Sequence, residues 1–387
     1  MKVLIFSTAY FPHVGGAEVA VKEITDRIDD IKFDMITVKL DRKDKQHEKV
    51  GRINVYRLGW GLGKIDKLLF PFQAARLTKK LHKKNKYNAV WSIMASFSGF
   101  GALFFKKKNL EVKFLLTLQE GDDLNEVEER VNFPIIKKWF LEIFQKADYI
   151  QSISNYLADW ARSKKVSCPV EVVPNGVDIE KFQTEFSDEE LNKFKKELNI
   201  EEGEKILITT SRLVKKNAVN DIIEAMVYLP KNIKLLILGT GSDLEKLRNL
   251  TRERGVEKRV LFLGYIDNKK IPKYLKISDI FIRLPLSEGL GNSFIEAMAT
   301  GVFILATEVG GIKDLLLKPG SILTLDVFRS VSEYREIAKR IEYILDDKNN
   351  EKVKKIIENA KQMVKEKYDW NIIAKQIREI FLKLNPR

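Results

Sequence analysis

The sequence predicts an α/β fold with two domains, each built on a parallel sheet whose two faces are covered by helices. The chain has 387 residues, which is longer than one hydrophobic core usually supports. Its runs of Val, Ile, Leu and Phe are continuous rather than alternating, as is typical of strands buried on both faces. Amphipathic helical segments separate these runs, and the pattern starts again in the second half of the chain.

The first half opens with a strand predicted at residues 2–8 and a helix at 17–28. Residues 89–105 carry no charge, but their serines and glycines favour a strand, a loop and a helix over one membrane-spanning helix. The other strands predicted in this half are 33–38, 53–58, 88–93, 113–118 and 149–152, and the other helices are 67–81, 97–105 and 134–146.

The second half repeats the alternation of strand and helix. Its last segment, residues 346–387, is predicted to be helical with a break at 368–370. The strands predicted in this half are 205–210, 233–238, 259–263, 280–283 and 303–306, and the helices before the last segment are 217–228 and 243–254.

A turn between the halves sets the predicted domain boundary. Proline and an Asn-Gly pair occur together in the segment 174–178, and such residues mark turns. We therefore predict three parts, which are an N-terminal domain at 1–175, a C-terminal domain at 176–365, and a C-terminal helix at 366–387 that packs back toward the N-terminal domain.

Composition narrows the classes of partner. The net charge of +14 favours an acidic partner, namely a phosphate-bearing substrate, an anionic membrane surface or a nucleic acid. Nucleic acid is not expected, because the basic runs lack interleaved aromatic residues and no helix-turn-helix or finger pattern occurs. Cys168 is the only cysteine, and no Asp-x-Asp or metal-like histidine spacing occurs. We therefore predict no metal, no other cofactor and a reducing, cytoplasmic compartment.

The segment 287–301 carries the strongest functional signal. Glu288 comes just before a glycine-rich turn, and Glu296 lies one turn inside a helix predicted to begin near Ser293. The free N–H groups of a helix N-terminus attract an anion, and a carboxylate on each side can bind hydroxyls. A diphosphate with a sugar at one end and a ribose at the other has this shape. A structural alternative stays open, in which Ser293 and Glu296 form a capping box.

Six motifs in order resemble those of the retaining glycosyltransferases of family 4, also called glycosyl transferases group 1. They are Gly15-Gly16-Ala17-Glu18, Pro174-Asn175-Gly176-Val177-Asp178, Arg212-Leu213-Val214, Gly239-Thr240-Gly241, Glu288-x7-Glu296 and Val309-Gly310-Gly311. The resemblance implies the GT-B fold, in which two Rossmann-like domains face each other across a cleft. It further implies that the N-terminal domain binds the acceptor, that the C-terminal domain binds the nucleotide sugar, and that the C-terminal helix crosses back.

The resemblance also assigns roles to residues of this chain. It implies that Glu288 contacts the donor sugar and Glu296 the ribose. Arg212 and Lys216, after the first strand of the second domain, would neutralise the charge that develops on the leaving diphosphate. We take Glu288, Arg212 and Lys216 as catalytic candidates. The donor-binding candidates are Gly15, Gly16, Gly239, Gly241, Ile266, Leu290, Gly291, Asn292, Ser293 and Glu296.

Two positions depart from the family pattern. Similar proteins commonly carry a lysine five residues after the arginine, where this chain has Asn217, with Lys216 one position earlier. They also often carry a histidine near the acceptor, where this chain has Gln119. A glutamine can donate a hydrogen bond to a hydroxyl but cannot act as a base. Gln119, Glu120 and Asp122 are therefore the acceptor-side candidates.

The sequence thus predicts a retaining, metal-independent transferase. It would move a sugar from a nucleoside diphosphate, UDP first and GDP-mannose second, to a hydroxyl of a glycan or lipid-linked acceptor in cell-surface polysaccharide or glycolipid synthesis. A nucleotide-sugar epimerase of the same fold is the alternative, and a phosphorylase is a further one. A nicotinamide oxidoreductase is disfavoured, because Leu244 replaces the third glycine of the dinucleotide fingerprint.

Lysine runs predict where the enzyme works. The run 79–86 and the run Lys106 to Lys108, which follows Phe104 and Phe105, flank the uncharged segment of the first domain. Basic residues next to aromatic ones can hold a protein at an anionic leaflet. We predict peripheral binding to the inner face of the cell membrane, with a merely solvated lysine-rich surface as the alternative.

Overall fold

A computed structural model describes residues 1–316, 323–325 and 331–385. The chain divides into two compact units, unit 1 with Met1–Gly176 and Trp370–Arg387, and unit 2 with Val177–Asp369. The divisions fall after residues 176 and 369, whereas the predicted boundaries fall after 175 and 365. Pro386 and Arg387, the end of the predicted C-terminal helix, lie outside the described residues.

Unit 1 contains one sheet of eight strands in the order β3-β4-β2-β1-β5-β6-β7-β8. All neighbours are parallel except β3 and β4. The strand order reverses between β1 and β5, which are hydrogen-bonded neighbours in the sheet. The strands are β1 (Lys2–Phe6), β2 (Lys32–Val38), β3 (His47–Val50), β4 (Ile53–Leu58), β5 (Ala89–Ile93), β6 (Lys113–Leu118), β7 (Tyr149–Ser152) and β8 (Val170–Val172).

Helices connect most of these strands, as the amphipathic segments predict. The segment 89–105 forms β5, a loop and a helix, so the prediction of that local structure is confirmed. Across the described residues, no helix has both the length and the apolar character needed to cross a membrane. The helices between the strands of unit 1 are α1 (Gly16–Asp26), α2 (Lys64–Asn85), α3 (Phe97–Lys106), α4 (Leu124–Glu129), α5 (Pro134–Gln145) and α6 (Asn155–Ser163).

Unit 2 contains a parallel sheet of six strands in the order β11-β10-β9-β12-β13-β14. Here the order reverses between β9 and β12. The strands are β9 (Lys205–Thr210), β10 (Ile233–Leu238), β11 (Val260–Gly264), β12 (Ile280–Arg283), β13 (Phe303–Thr307) and β14 (Leu323–Leu325). The helices are α7 (Ile179–Phe182), α8 (Asp188–Glu197), α9 (Val219–Met226), α10 (Leu244–Glu253), α11 (Ile271–Lys276), α12 (Asn292–Thr300), α13 (Val331–Leu345) and α14 (Asn350–Lys367).

The last helix, α15 (Trp370–Leu384), belongs to unit 1 and packs on α1. Its Ile373, Ile377 and Phe381 recur at helical spacing and are fully buried. The ring of Phe381 meets the ring of Trp91 from β5 edge-on, with 5.4 Å between the centroids. The helix thus completes the apolar core of unit 1.

The local predictions for Asn217, Phe105 and Lys106 were wrong. The helix predicted from residue 217 begins at Val219, because residues 215–217 form a tight 3-10 turn and Ala218 adopts a left-handed φ of +46°. Phe105 and Lys106 are buried, and the Lys106 ammonium is paired with Asp148 at 2.8 Å, so neither can face a membrane.

Candidate active site

The candidate donor site lies in unit 2, at the carboxyl ends of β9 and β12. In doubly wound sheets, ligands bind where the strand order reverses, and these two strands flank that point. Exposed Arg212 and partly buried Lys216 follow β9, and Glu288 follows β12. The main-chain N–H of Leu286 donates to the Lys216 carbonyl at 2.7 Å, which ties the two loops together.

A buried guanidinium, which the sequence did not predict as a site residue, lies at the centre of these loops. Arg283 is the last residue of β12 and is 7% exposed. Its Nη2 donates to Glu288 Oε2 at 2.6 Å and to Asn217 Oδ1 at 3.0 Å, and its Nη1 donates to Ser293 Oγ at 3.1 Å. The guanidinium also lies over the ring of Phe294, 5.3 Å from its centroid. Arg283 therefore joins the β9 loop, the glycine-rich turn and the start of α12.

The other Glu288 oxygen is also held. The main-chain N–H of Gly289 donates to Glu288 Oε1 at 3.0 Å, and the Glu288 side chain is 12% exposed. Gly310 packs against the main chain of the same residue, because a Cβ there would lie 2.1 Å from the Glu288 carbonyl oxygen. The carboxylate is thus fixed in one orientation, and its remaining lone pairs can accept hydrogen bonds from a ligand.

The start of α12 excludes the capping-box alternative. Gly291, with a left-handed φ of +85°, is the N-cap, and it has no side chain that could accept from the first-turn amides. Asn292 and Ser293 are the first two residues of the helix, and Leu290 is buried in the turn before them. The hydroxyl of Ser293 accepts from Arg283 instead. The capping-box interpretation is therefore wrong.

Glu296 contacts the loop that follows β11, away from the contacts of Glu288. Asn268 Nδ2, in the loop after β11, donates to Glu296 Oε1 at 2.9 Å, and the Lys181 ammonium donates to Asn268 Oδ1. Burial raises the pKa of Glu296 to about 7, although the hydrogen bond from Asn268 and the positive charges of Lys181 and Arg283 act in the opposite direction. The loop after β11 also carries Ile266, which is partly buried.

Two predicted donor-site glycines allow neighbouring loops to pack. A Cβ on Gly239 would lie 1.9 Å from the Ser211 carbonyl oxygen, and a Cβ on Gly241 would lie 2.1 Å from that of Leu213. The Leu213 N–H donates to the Thr240 carbonyl at 2.9 Å. The loops after β9 and β10 therefore lie in direct main-chain contact, which no other residue type would permit at these positions.

The predicted glycines of unit 1 lie at the start of α1, after the loop that follows β1. Gly15 is the N-cap and Gly16 the first residue of the helix. The Gly15 N–H donates to Glu18 Oε2 at 2.7 Å, so the Gly15 main chain is held by its own helix. These glycines belong to unit 1, whereas the other donor-binding candidates belong to unit 2.

The acceptor-side candidates follow β6 in unit 1, and each of them contacts a different residue. Gln119 Oε1 accepts from Asn175 Nδ2 at 3.1 Å, and Asp122 pairs with Arg130 at 2.9 Å. Glu120 is 7% exposed, and its Oε1 accepts from the Ala95 N–H at 2.7 Å. Within the part of the chain that the structure describes, Glu120 Oε2 is buried without a hydrogen-bond partner. Burial, and the nearby charge of Asp122 to a smaller extent, raise the pKa of Glu120 to about 7.

Sequence reasoning missed Arg283, Asn268 and Lys181. The only signal for Arg283 is a charged residue at the end of an otherwise apolar strand, Ile-Phe-Ile-Arg. Asn268 and Lys181 have no local pattern, because they reach Glu296 through the fold. Over residues 1–316, 323–325 and 331–385, no three His, Cys, Asp or Glu side chains are grouped as metal ligands.

A solved structure has the same fold as this chain. Anabaena HepE, crystallised in complex with UDP and glucose, matches with a TM-score of 0.80 at 17% identity, over 99% of this chain and all of the other. The two sheets, which are parallel except for β3, and this match define a GT-B protein with two Rossmann-like domains, as predicted.

The sequence comparisons give the family. The profile described as Glycosyltransferase Family 4 matches residues 14–181, and the profile described as Glycosyl transferases group 1 matches residues 191–363. The chain belongs to glycosyltransferase family 4, which confirms the resemblance and makes it a transferase.

Two curated relatives cover most of the chain. An uncharacterized glycosyltransferase of Methanocaldococcus jannaschii is 28% identical over 412 aligned positions, which span 99% of each chain. Alpha-monoglucosyldiacylglycerol synthase of Streptococcus pneumoniae is 23% identical over 79% of this chain and 71% of its own length.

Proposed function

We propose that this protein transfers a sugar from a nucleoside diphosphate to a hydroxyl of a glycan or lipid-linked acceptor, with retention of configuration and without a metal. One observation carries the proposal. Two carboxylates, Glu288 before α12 and Glu296 in its second turn, are held by separate polar networks with the helix N-terminus between them in the chain. This arrangement suits a diphosphate whose two ends both carry hydroxyls.

The charges around this arrangement favour a phosphate-bearing donor. Gly291 leaves the first-turn amides of α12 without a side-chain cap, and Arg212 and Lys216 follow the neighbouring strand. A carboxylate can accept hydrogen bonds from both ribose hydroxyls, which is the role we give Glu296. UDP-sugars are the first choice of donor and GDP-mannose the second. The complex of a protein of the same fold with UDP and glucose supports this order.

The proposed reaction is a front-face displacement. The bond between the anomeric carbon and the diphosphate oxygen breaks, and the acceptor oxygen bonds the same carbon from the same side. The diphosphate oxygen that leaves takes the acceptor proton, so no protein base is required. Arg212, Lys216 and the amides of α12 stabilise the negative charge that develops on the diphosphate.

Product analysis tests this proposal. The full chain is incubated with UDP- and GDP-sugars, with and without glycan or diacylglycerol acceptors, in the presence and absence of EDTA. We expect a glycoside whose anomeric configuration, determined by NMR, equals that of the donor, at a rate that EDTA does not change. An inverted product would contradict retention. A changed sugar nucleotide without any acceptor would instead identify an epimerase.

The outer face of α2 supports a lipid-linked acceptor at a membrane. Ile65, Leu68, Leu69 and Phe72 lie at helical spacing on this face and are 55%, 63%, 40% and 57% exposed. The same stripe continues through exposed cations at the other end of the helix, at Arg76, Lys79, Lys80 and Lys83. Apolar and basic side chains on one exposed stripe suit an anionic bilayer surface. The name of the diacylglycerol-modifying relative agrees with such an acceptor.

Sedimentation with vesicles tests the membrane proposal. We expect the full chain to pellet with anionic vesicles at low salt, and to be released at high salt or with neutral vesicles. Leu68→Glu combined with Phe72→Glu should abolish the binding. Leu382→Glu, at an exposed leucine of α15, is the matched control and should leave it unchanged. If the unmodified protein stays in the supernatant with anionic vesicles at low salt, the membrane proposal is wrong.

A further inference from the structure

Arg283 is a buried cation at the end of an otherwise apolar strand, and its burial alone does not explain why an arginine is present there. A buried charge is costly unless it is paired and hydrogen-bonded. Arg283 meets this condition with three side chains, yet its Nε is buried without a hydrogen-bond partner in the part of the chain that the structure describes. An apolar residue at the end of β12 would avoid this cost. The guanidinium therefore has a reason to be there other than stability.

The contacts of Arg283 point to that reason. Its three hydrogen-bond partners come from three segments, Asn217 from the β9 loop, Glu288 from the glycine-rich turn and Ser293 from the first turn of α12. Each of these segments contributes a predicted donor-site residue. Asn217 also binds its own loop, because its Nδ2 donates to the Arg212 carbonyl at 2.6 Å. The guanidinium thus fixes the donor-site loops relative to one another.

We propose that Arg283 is a positioning residue for the transfer reaction, which holds the Glu288 carboxylate and the first turn of α12 in the arrangement that the donor sugar requires. This inference rests on the proposed function, because it assigns Glu288 to the sugar. Arg283 also brings a permanent positive charge to the β9 loop at Asn217, a position without charge of its own. It acts through Glu288 and is not itself in contact with the reacting atoms.

Arginine is specific for this role because of its shape. Its planar fork offers five N–H donors in fixed directions, whereas a lysine ammonium is a point charge on a flexible chain. A lysine at position 283 can pair with Glu288, but it cannot reach Asn217 and Ser293 in the same geometry. Arg283→Lys therefore keeps the buried charge paired, while it removes the fixed orientation. This variant separates positioning from simple charge compensation.

A double-mutant cycle tests the inference. Arg283→Lys, Glu288→Gln and the combined variant are compared with the unmodified chain for kcat, for the KM of the donor, and for the Kd of UDP alone. We expect Arg283→Lys to lower kcat on the order of 10- to 100-fold, since a small misplacement of a reacting group has such effects. The Kd of UDP should stay within about twofold. The combined variant should be no slower than Glu288→Gln.

A matched variant controls for general damage to the sheet. Arg259 lies just before β11 and donates to the main-chain carbonyls of Met226 and Pro230. Arg259→Lys should leave kcat unchanged, and the melting temperatures of all variants are recorded. If Arg283→Lys keeps the kcat of the unmodified chain, or if its loss multiplies with that of Glu288→Gln, the positioning role is wrong. Failure of the proposed function is distinguishable, because the unmodified chain would then transfer no sugar at all.

Discussion

Two carboxyl groups, buried Glu120 of unit 1 and partly buried Glu296 of unit 2, have a pKa raised to about 7 for the same main reason, which is the loss of hydration inside the protein. Their neighbours differ. The positive charges of Lys181 and Arg283 lower the pKa of Glu296, whereas the negative charge of Asp122 raises that of Glu120. The difference agrees with the two kinds of ligand that we propose. The positive surroundings of Glu296 suit a phosphate-bearing molecule, and those of Glu120 suit a neutral hydroxyl.

The two sites are also built differently around the same topological feature. Each sheet reverses its strand order once, and each candidate site lies in or next to the loops that follow. In unit 2 the polar side chains bind one another, so the site is already arranged before a ligand arrives. In unit 1 the Glu120 carboxyl keeps one oxygen without a partner among the described residues. The first arrangement holds the polar groups of the site in fixed positions. The second leaves one carboxyl oxygen able to accept a hydrogen bond from a ligand.

The largest expected effect comes from the best-fixed carboxylate of unit 2. Glu288→Ala should lower kcat on the order of 100-fold or more, because it removes the contact that we propose orients the reacting sugar. The Kd of UDP should change little, since UDP lacks the transferred sugar that we assign to Glu288. Steady-state kinetics with the full donor and calorimetry with UDP measure the two quantities.

Glu351→Ala is the control for this prediction, because Glu351 is a highly exposed carboxylate at the start of α14. It should change neither quantity. An equal, small effect of Glu288→Ala on kcat and on UDP binding would show that this carboxylate does not orient the sugar.

The second prediction separates Glu296 from Glu288. Glu296→Gln should weaken UDP binding by about tenfold, the size expected for the loss of a charged hydrogen bond, with a smaller effect on kcat. The carboxyl group loses its proton as the pH rises through about 7, and the carboxylate is a stronger acceptor for the ribose hydroxyls than the neutral acid. UDP affinity of the unmodified chain should therefore rise between pH 6 and pH 8, measured by calorimetry.

The affinity of the Glu296→Gln variant should rise less over the same pH interval, because the amide does not titrate and only the terminal phosphate of UDP, with a pKa of about 6, still does. A variant that keeps the pH dependence of the unmodified chain would assign this titration to another group. The pH dependence of UDP binding would then no longer distinguish Glu296 from Glu288.

Local patterns explain what the sequence could predict. Continuous apolar runs predicted β4, β6, β7, β9, β10 and β12 with the bounds that the structure has. The pair of Glu288 and Glu296 could be singled out because a glycine-rich turn and a helix start within a few residues of each other. β3 was not predicted, since its residues His-Glu-Lys-Val are mostly polar and its partner strand runs antiparallel.

Contacts between distant residues explain what it could not predict. Arg283 meets Asn217 across 66 residues, and Asn268 meets Glu296 across 28. Glycine is required at position 239 because a Cβ there would clash with the Ser211 carbonyl oxygen, and no local sequence pattern predicts this contact. The orphan oxygen of Glu120 is likewise visible only once β5 and β6 lie side by side. Sequence motifs therefore indicated the ligand-facing residues, while the residues that hold them came from the fold.

The smallest expected effect tests the unit 1 side of the comparison. Glu120→Gln keeps an oxygen for the Ala95 N–H but removes the carboxyl group whose second oxygen we assign to an acceptor hydroxyl. The KM of the acceptor should rise by up to about tenfold. The donor KM and the slow hydrolysis of the donor without acceptor should not change, because both depend on unit 2.

The same variant should be more stable than the unmodified chain at high pH. The raised pKa means that folded Glu120 holds its proton while the unfolded chain has already lost it, so the free energy of unfolding falls as the pH rises from about 4.5 to about 7. Glu120→Gln avoids this loss. Its gain over the unmodified chain, measured by chemical unfolding, should be near zero at pH 4 and level off above pH 7, at no more than about 3 kcal/mol. A gain in stability together with a loss of acceptor affinity is the combination expected of a carboxyl group that binds a ligand, because ligand binding explains why a residue that lowers stability is present there. If stability rises and the acceptor KM stays the same, Glu120 does not bind the acceptor, and the acceptor must be sought elsewhere in unit 1.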